Sequence, residues 1–127
     1  MTEKVNPMPG QVLLKDVEFD SGYDVLDRLD KTTDIAEANA ITSVIADDPE
    51  GLHKLILDVD FPVQAIPSTT PGHYHLYIDK ALSWDDLEGV FTAMADAGLV
   101  ERGYARACSD QRFTTVRLPW VKKETKK

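Results

Sequence analysis

The sequence predicts an α+β domain: a mainly antiparallel sheet in the order β-β-α-β-β, with one long helix on a face and shorter helices toward the N-terminus. Three observations carry this. Two stretches, LILDVD (55–60) and HYHLYID (73–79), alternate apolar and ionisable residues with the period of a half-buried strand. One stretch, SWDDLEGVFTAMADAG (83–98), repeats its apolar residues at helical spacing. The 127 residues, 43% of them hydrophobic, are enough to bury a modest core and too apolar for a disordered chain.

In chain order, residues 1–11 contain two prolines and a glycine and read as an irregular arm. Residues 12–51 form an acidic, helical N-terminal part, beginning with a short strand over 12–19. A helix is expected over 21–30, from Tyr23, Leu26 and Leu29. A second is expected over 33–48, with Thr33 as N-cap and Ile35, Ala38, Ile41, Val44 and Ile45 as its apolar stripe. DDPEG then closes it with a turn.

Residues 52–123 form the sheet module. LHKLILDVD (52–60) reads as a strand. The link FPVQAIPSTTP holds three prolines, so any strand inside it is irregular or at an edge. HYHLYID is the next strand. The 83–98 helix has Ser83 as N-cap with Asp86 three residues on, and Gly98 suits its C-terminal turn. Trp84, Leu87, Val90, Phe91 and Met94 make its buried stripe. GYARAC (103–108) and FTTVRLPWV (113–121) read as a closing hairpin, which completes an RRM-like order. Residues 1–123 are then a single domain, and 124–127 a solvated tail.

The net charge is −8 at pH 7, which disfavours tight, non-specific binding to nucleic acid. The chain turns basic after Glu101, however, so it can still hold a phosphate locally. A single cysteine, Cys108, cannot form an internal disulfide. The first ten residues lack the basic and apolar regions of a signal peptide. No apolar run approaches the roughly 20 residues of a membrane span. From these features the protein is expected in the cytoplasm and away from the membrane.

Side chains alternate across a strand, so Asp58 and Asp60 project together from one strand, and His73, His75 and Asp79 from the next. Two parallel carboxylates can hold a hard divalent cation, Mg²⁺ or Mn²⁺, of the kind that supports phosphoryl transfer. An arginine would hold phosphates, and a histidine would contact a phosphate or move a proton. The same alternation also describes an ordinary sheet with one wet face. A zinc site is disfavoured, because one cysteine and two neighbouring histidines give no zinc-like spacing.

The order of the motifs narrows the choice. LILDVD, STTPGHYHLYID, GLVERGY and QRFTTVRLPWVKK together resemble the catalytic module of archaeo-eukaryotic primases, the PrimPol superfamily. The resemblance covers 52–123. It implies that Asp58 and Asp60 hold metal, with Glu101 as a third acidic ligand where the family usually has Asp. It implies that His75 contacts the nucleotide, and that Arg112, Arg117 and Lys122 bind phosphates. The loop Ser68, Thr69, Thr70 and Gly72 loosely matches the family's loop before the histidine. The chain also resembles small proteins encoded by actinobacterial phages, which implies action in an infected bacterial host.

The expected function is a minimal primase-polymerase-like protein. It would bind Mg²⁺ or Mn²⁺, a nucleotide and single-stranded nucleic acid, and carry out nucleotidyl transfer. One alternative is a non-catalytic phage interaction protein that engages a host or phage protein through its acidic surface, where Asp24, Asp27, Asp30, Asp34 and Glu37 cluster. A further alternative is a metal-dependent nuclease using the same carboxylates.

Overall fold

The computed structural model describes residues 5–6, 8–19 and 24–121. The chain is α+β, with antiparallel sheets and two helices. It divides into two compact units, residues 1–58 and 59–127.

The first unit is a small sheet. β1 (Gln11–Leu14) lies between β2 (Lys31–Thr32) and β3 (Ala40–Ile45), antiparallel to both. Leu13 and Leu14 are its buried apolar side chains. The β1–β3 register slips between Gln11 and Leu13, which frees backbone groups from the ladder. Thr42 takes them up: its hydroxyl donates to the Val12 carbonyl at 2.8 Å and accepts from the Val44 amide at 3.2 Å. Gln11, itself buried, donates from Nε2 to the Thr42 carbonyl at 2.6 Å. Asn39 extends the pairing beyond the strand, its amide bonding both the N–H and the C=O of Val17.

Among the described residues, neither N-terminal helix expected from the sequence forms. Over 21–30 the described residues show only a 3₁₀ turn at Leu26–Arg28, whose end is held by Lys31 Nζ on the Leu26 carbonyl at 2.7 Å. Residues 20–23, including Tyr23, lie outside the described residues. Over 33–48 the chain makes a turn and then β3. The Thr32 hydroxyl accepts from the Asp34 amide, and the Asp34 carboxylate accepts from the Ala36 amide. These side chains take amides in a local turn, a competition typical of Thr and Asp. Ile41, Thr42, Val44 and Ile45 are β-branched and favour the strand that follows.

The strand expected over 12–19 stops at Leu14, and Asp16 turns the chain with φ 57°. The DDPEG turn is present. The Asp48 carboxylate accepts from the amides of Glu50 and Leu52, and Gly51 adopts φ 67°. The strand expected over 52–60 is absent apart from one isolated bridge, His53 to Val44.

The second unit begins with a hairpin. β4 (Val63–Pro67) pairs with β5 (Tyr74–Ile78) from Val63 opposite Ile78 to Pro67 opposite Tyr74. β4 is the edge strand that the proline-rich link allowed, and β5 is the strand expected at 73–79. A helical pair follows. α1 (Trp84–Asp96) starts at Ser83, whose side chain accepts from the Asp86 amide at 3.1 Å. It ends in a Schellman turn: Leu99 N–H bonds Met94 C=O, Gly98 N–H bonds Ala95 C=O, and Gly98 has φ 80°.

α2 (Arg102–Gln111) replaces the expected strand at 103–108. Its inward residues, Tyr104, Ala105 and Cys108, follow helical spacing. Phe91 and Ala95 of α1 bury against Ala105 and Cys108, with Trp84, Leu87 and Tyr104 at the margin. Val90, expected in the buried stripe, is exposed. Residues 113–121 contain no strand, so the closing hairpin is absent. The order from residue 61 is strand, strand, helix, helix rather than the RRM-like one. Neither hairpin strand lies close to α1 or α2, so the expected packing of the 83–98 helix on the sheet does not occur. No described helix is long and apolar enough to cross a membrane.

Candidate functional site

His75 is fixed by the hairpin. The turn before it is closed by Ser68, whose amide bonds the His73 carbonyl at 2.9 Å and whose hydroxyl both accepts from the Thr70 amide and donates to its carbonyl. Gly72 supplies the positive φ of 80° that the turn needs. His75 therefore stands opposite Ile66, on the face it shares with Gln64 and Tyr77. Ile66 and His75 are both half-buried.

Arg117 lies in the irregular segment that leaves α2. That segment is tied back by Tyr104, whose hydroxyl donates to the Thr115 carbonyl at 2.8 Å. Burial, reinforced by the neighbouring Cys108, pushes the Tyr104 phenol up to about 12. The group therefore stays protonated and keeps donating. Arg117 is half-buried two residues further on.

His75 and Arg117 share a property. Among the described residues, three buried side-chain polar atoms lack a hydrogen-bond partner: Gln11 Oε1, His75 Nδ1 and Arg117 Nη1. A buried polar atom without a partner costs about 1–3 kcal/mol, and more when it is charged. Such atoms are uncommon enough to ask for a cause. Arg117 Nη1 is always a donor, and His75 Nδ1 donates in one tautomer and in the protonated ring.

Arg112 takes a different position. It caps the C-terminus of α2 in the left-handed region, φ 65° and ψ 35°, where glycine is the usual residue. Its amide bonds the Cys108 carbonyl at 2.8 Å. Its guanidinium carbon lies 6.0 Å from the centre of the Trp84 ring, which in turn packs at 5.8 Å on Phe91. A cation over an indole face is attracted by the ring quadrupole. Trp84 is thus both core and platform, where the sequence marked it as core alone.

Glu101 occupies the N-cap position of α2, not a strand. Its side chain makes no capping bond and is exposed, though a carboxylate there suits the positive end of the helix dipole. A Cβ at Gly103 would come within 3.2 Å of Glu101 Oε1, so the glycine leaves room for the carboxylate.

Asp58 and Asp60 are both exposed. They stand on irregular chain rather than on the expected strand, so alternation does not hold them parallel. Asp58 closes the first unit and Asp60 belongs to the second. Their oxygen donors, like those of Glu101, have the chemistry that Mg²⁺ or Mn²⁺ prefers. No group of three His, Cys, Asp or Glu side chains able to share an ion occurs among the described residues. Lys122 lies outside the described residues.

Tyr104 has no functional signal in a strand over 103–108, the conformation that GYARAC suggests by its alternation. The small residues Ala105 and Ala107 are strong helix formers, and Tyr104 and Cys108 fall four apart. That spacing was the available signal.

Comparison with protein-family models, with curated proteins and with solved structures gave no match to this chain.

Proposed function

We propose that this chain is a minimal primase-polymerase-like protein that binds a divalent metal and a nucleotide. One observation carries the reading. The motif resemblance singles out seven residues, and two of them, His75 and Arg117, hold buried nitrogens without a protein partner. A nucleotide phosphate offers charged acceptor oxygens suited to both. Arg112, placed at the end of α2, is a further phosphate ligand in this reading, with Lys122 completing the basic set.

In the same reading Asp58, Asp60 and Glu101 hold Mg²⁺ or Mn²⁺, which when bound would neutralise phosphate charge and support nucleotidyl transfer. The resemblance now rests on the order of motifs and not on an RRM-like sheet. Single-stranded nucleic acid is the expected second substrate, and a host cytoplasm the expected setting.

Calorimetry with Mn²⁺ and a nucleoside triphosphate tests this on wild type and on Asp58→Ala/Asp60→Ala. The reading expects binding by wild type and a metal-dependent loss in the variant. Absence of binding by wild type would sink it. Incubation with single-stranded DNA and Mn²⁺, with and without nucleotides, separates synthesis from the nuclease alternative: a lengthened strand marks the first and a shortened one the second.

A second reading draws on the charge distribution. Residues 1–58 contain 13 acidic and 5 basic residues, a net −8, whereas 59–127 contain 9 of each. The whole net charge thus belongs to the first unit, which suits a surface for a basic host or phage protein. A stoichiometric partner captured equally well by the Asp58→Ala/Asp60→Ala variant would favour this reading.

A further inference from the structure

The polar side of the hairpin has an order along β5. His75 faces Ile66, and one step further from the Ser68 turn Tyr77 faces Gln64. Alternation puts all four on one side of the sheet, and all belong to the second unit. His75 and Ile66 are half-buried, whereas Tyr77 and Gln64 are exposed. Among the described residues neither the Tyr77 hydroxyl nor the Gln64 side-chain amide has a hydrogen-bond partner. An aromatic ring with a free amide opposite it therefore lies next to a histidine whose Nδ1 is buried and unpartnered.

We propose that Tyr77 and Gln64 form a nucleobase site, the ring stacking on the base and the amide bonding its edge. The inference rests on the reading of His75 as a phosphate ligand and adds the base to it. Spacing supports it. Residues two apart on a strand lie about 7 Å apart, and the sugar of a nucleotide separates its base from its α-phosphate by a similar span. A phosphate at His75 thus leaves the base over one of the two neighbours on that side, Tyr77 or His73.

Hydrogen bonding decides between them. Ser68 stands opposite His73, and the turn occupies it: its amide bonds the His73 carbonyl, and its hydroxyl bonds Thr70. That end has no free group to read a base edge. At the other end the Gln64 amide carries both donors and an acceptor, which suits the mixed edge of a base. Stacking on an aromatic ring accepts any base, because every base has a π face. The ligand class is then a base-bearing nucleotide, since a bare polyphosphate engages neither group.

Calorimetry with Mn²⁺ tests this by comparing ATP with inorganic tripolyphosphate. Wild type is expected to bind ATP tighter by about tenfold, the scale of one stacked base. Tyr77→Val keeps strand propensity and removes the ring, so its affinity for ATP should fall to that for tripolyphosphate, which stays unchanged. Tyr77→Phe keeps the ring and should bind ATP as wild type does. Equal affinity of wild type for the two ligands, or undiminished ATP binding by Tyr77→Val, would overturn the base site while leaving the phosphate site standing. Wild type that binds neither ligand would overturn both. Should Tyr77→Val unfold, Gln64→Ala at an exposed position serves in its place. A several-fold loss for ATP alone is then expected, and no loss, or an equal loss for both ligands, refutes the proposal.

Discussion

The Tyr104 hydroxyl donates a 2.8 Å hydrogen bond to the Thr115 carbonyl, so a helix residue holds the chain segment that presents Arg117. Tyr104→Phe keeps the ring and deletes the bond. The expected cost is about 1 kcal/mol of stability, the usual net value of one hydrogen bond. Amide exchange over 113–118 should accelerate more than exchange in α1. Affinity for a nucleoside triphosphate should fall several-fold while the helices stay intact. Equal exchange rates in both proteins would show that Tyr104 does not position this segment.

The same phenol sets an alkaline limit. Its folded pKa of about 12 exceeds the unfolded value of 10.0. The sign follows from linkage: below pH 10 both states hold the proton and no stability is lost. As pH climbs from about 10 to about 12 the unfolded state releases the proton and the folded state keeps it, so stability falls. Spectrophotometric titration of phenolate should show a step near 12 that disappears in Tyr104→Phe.

Thr42 stands at the register slip between β1 and β3, where its hydroxyl bonds both Val12 and Val44. Thr42→Val keeps shape and β-propensity but leaves those two backbone groups unpaired. The expected loss is about 1–3 kcal/mol, the penalty for unsatisfied buried polar groups. Urea denaturation measures it. A change below a few tenths of a kcal/mol would mean that water serves those groups equally well.

Arg112 combines a left-handed backbone with a guanidinium near Trp84. Two substitutions separate these effects. Arg112→Gly removes the side chain and relieves the backbone; Arg112→Ala removes the side chain and keeps the strain. Alanine should therefore be less stable than glycine by about 1 kcal/mol. Both should lose the Trp84 contact, seen as a change in tryptophan fluorescence. Equal stability of the two variants would contradict the role of the left-handed cap.

The helix at 83–98 was legible because its cap, its apolar spacing and its terminal glycine all act within one segment. β5 was legible for the same reason: its alternation and the Gly72 turn are local. β3 was not. The apolar set of 33–48, Ile35 to Ile45, fits a helix by spacing, and only the pairing of β3 with β1 and the turn around Asp34 decide against one. α2 misled in the opposite sense. Gly103, Ala105 and Ala107 alternate with larger residues, while its burial pattern depends on Phe91 and Ala95 of another helix. Of the candidate residues, His75 lies on β5, where the alternation of HYHLYID puts it. Arg117 was expected on a strand and is held instead through Tyr104, a contact with no trace in the order of motifs. Asp58 and Asp60 were expected on a strand that does not form.

The most direct measurement is titration of a nucleoside triphosphate, with Mn²⁺ present, into wild type, His75→Ala and Arg117→Ala. If the two buried nitrogens are phosphate ligands, wild type binds. Each variant then loses about tenfold or more in affinity while its denaturation midpoint stays level or rises, because an unpartnered buried nitrogen has been removed. Wild type that takes up no nucleotide, or variants that bind as tightly as wild type, would contradict the assignment of His75 and Arg117 to a nucleotide site.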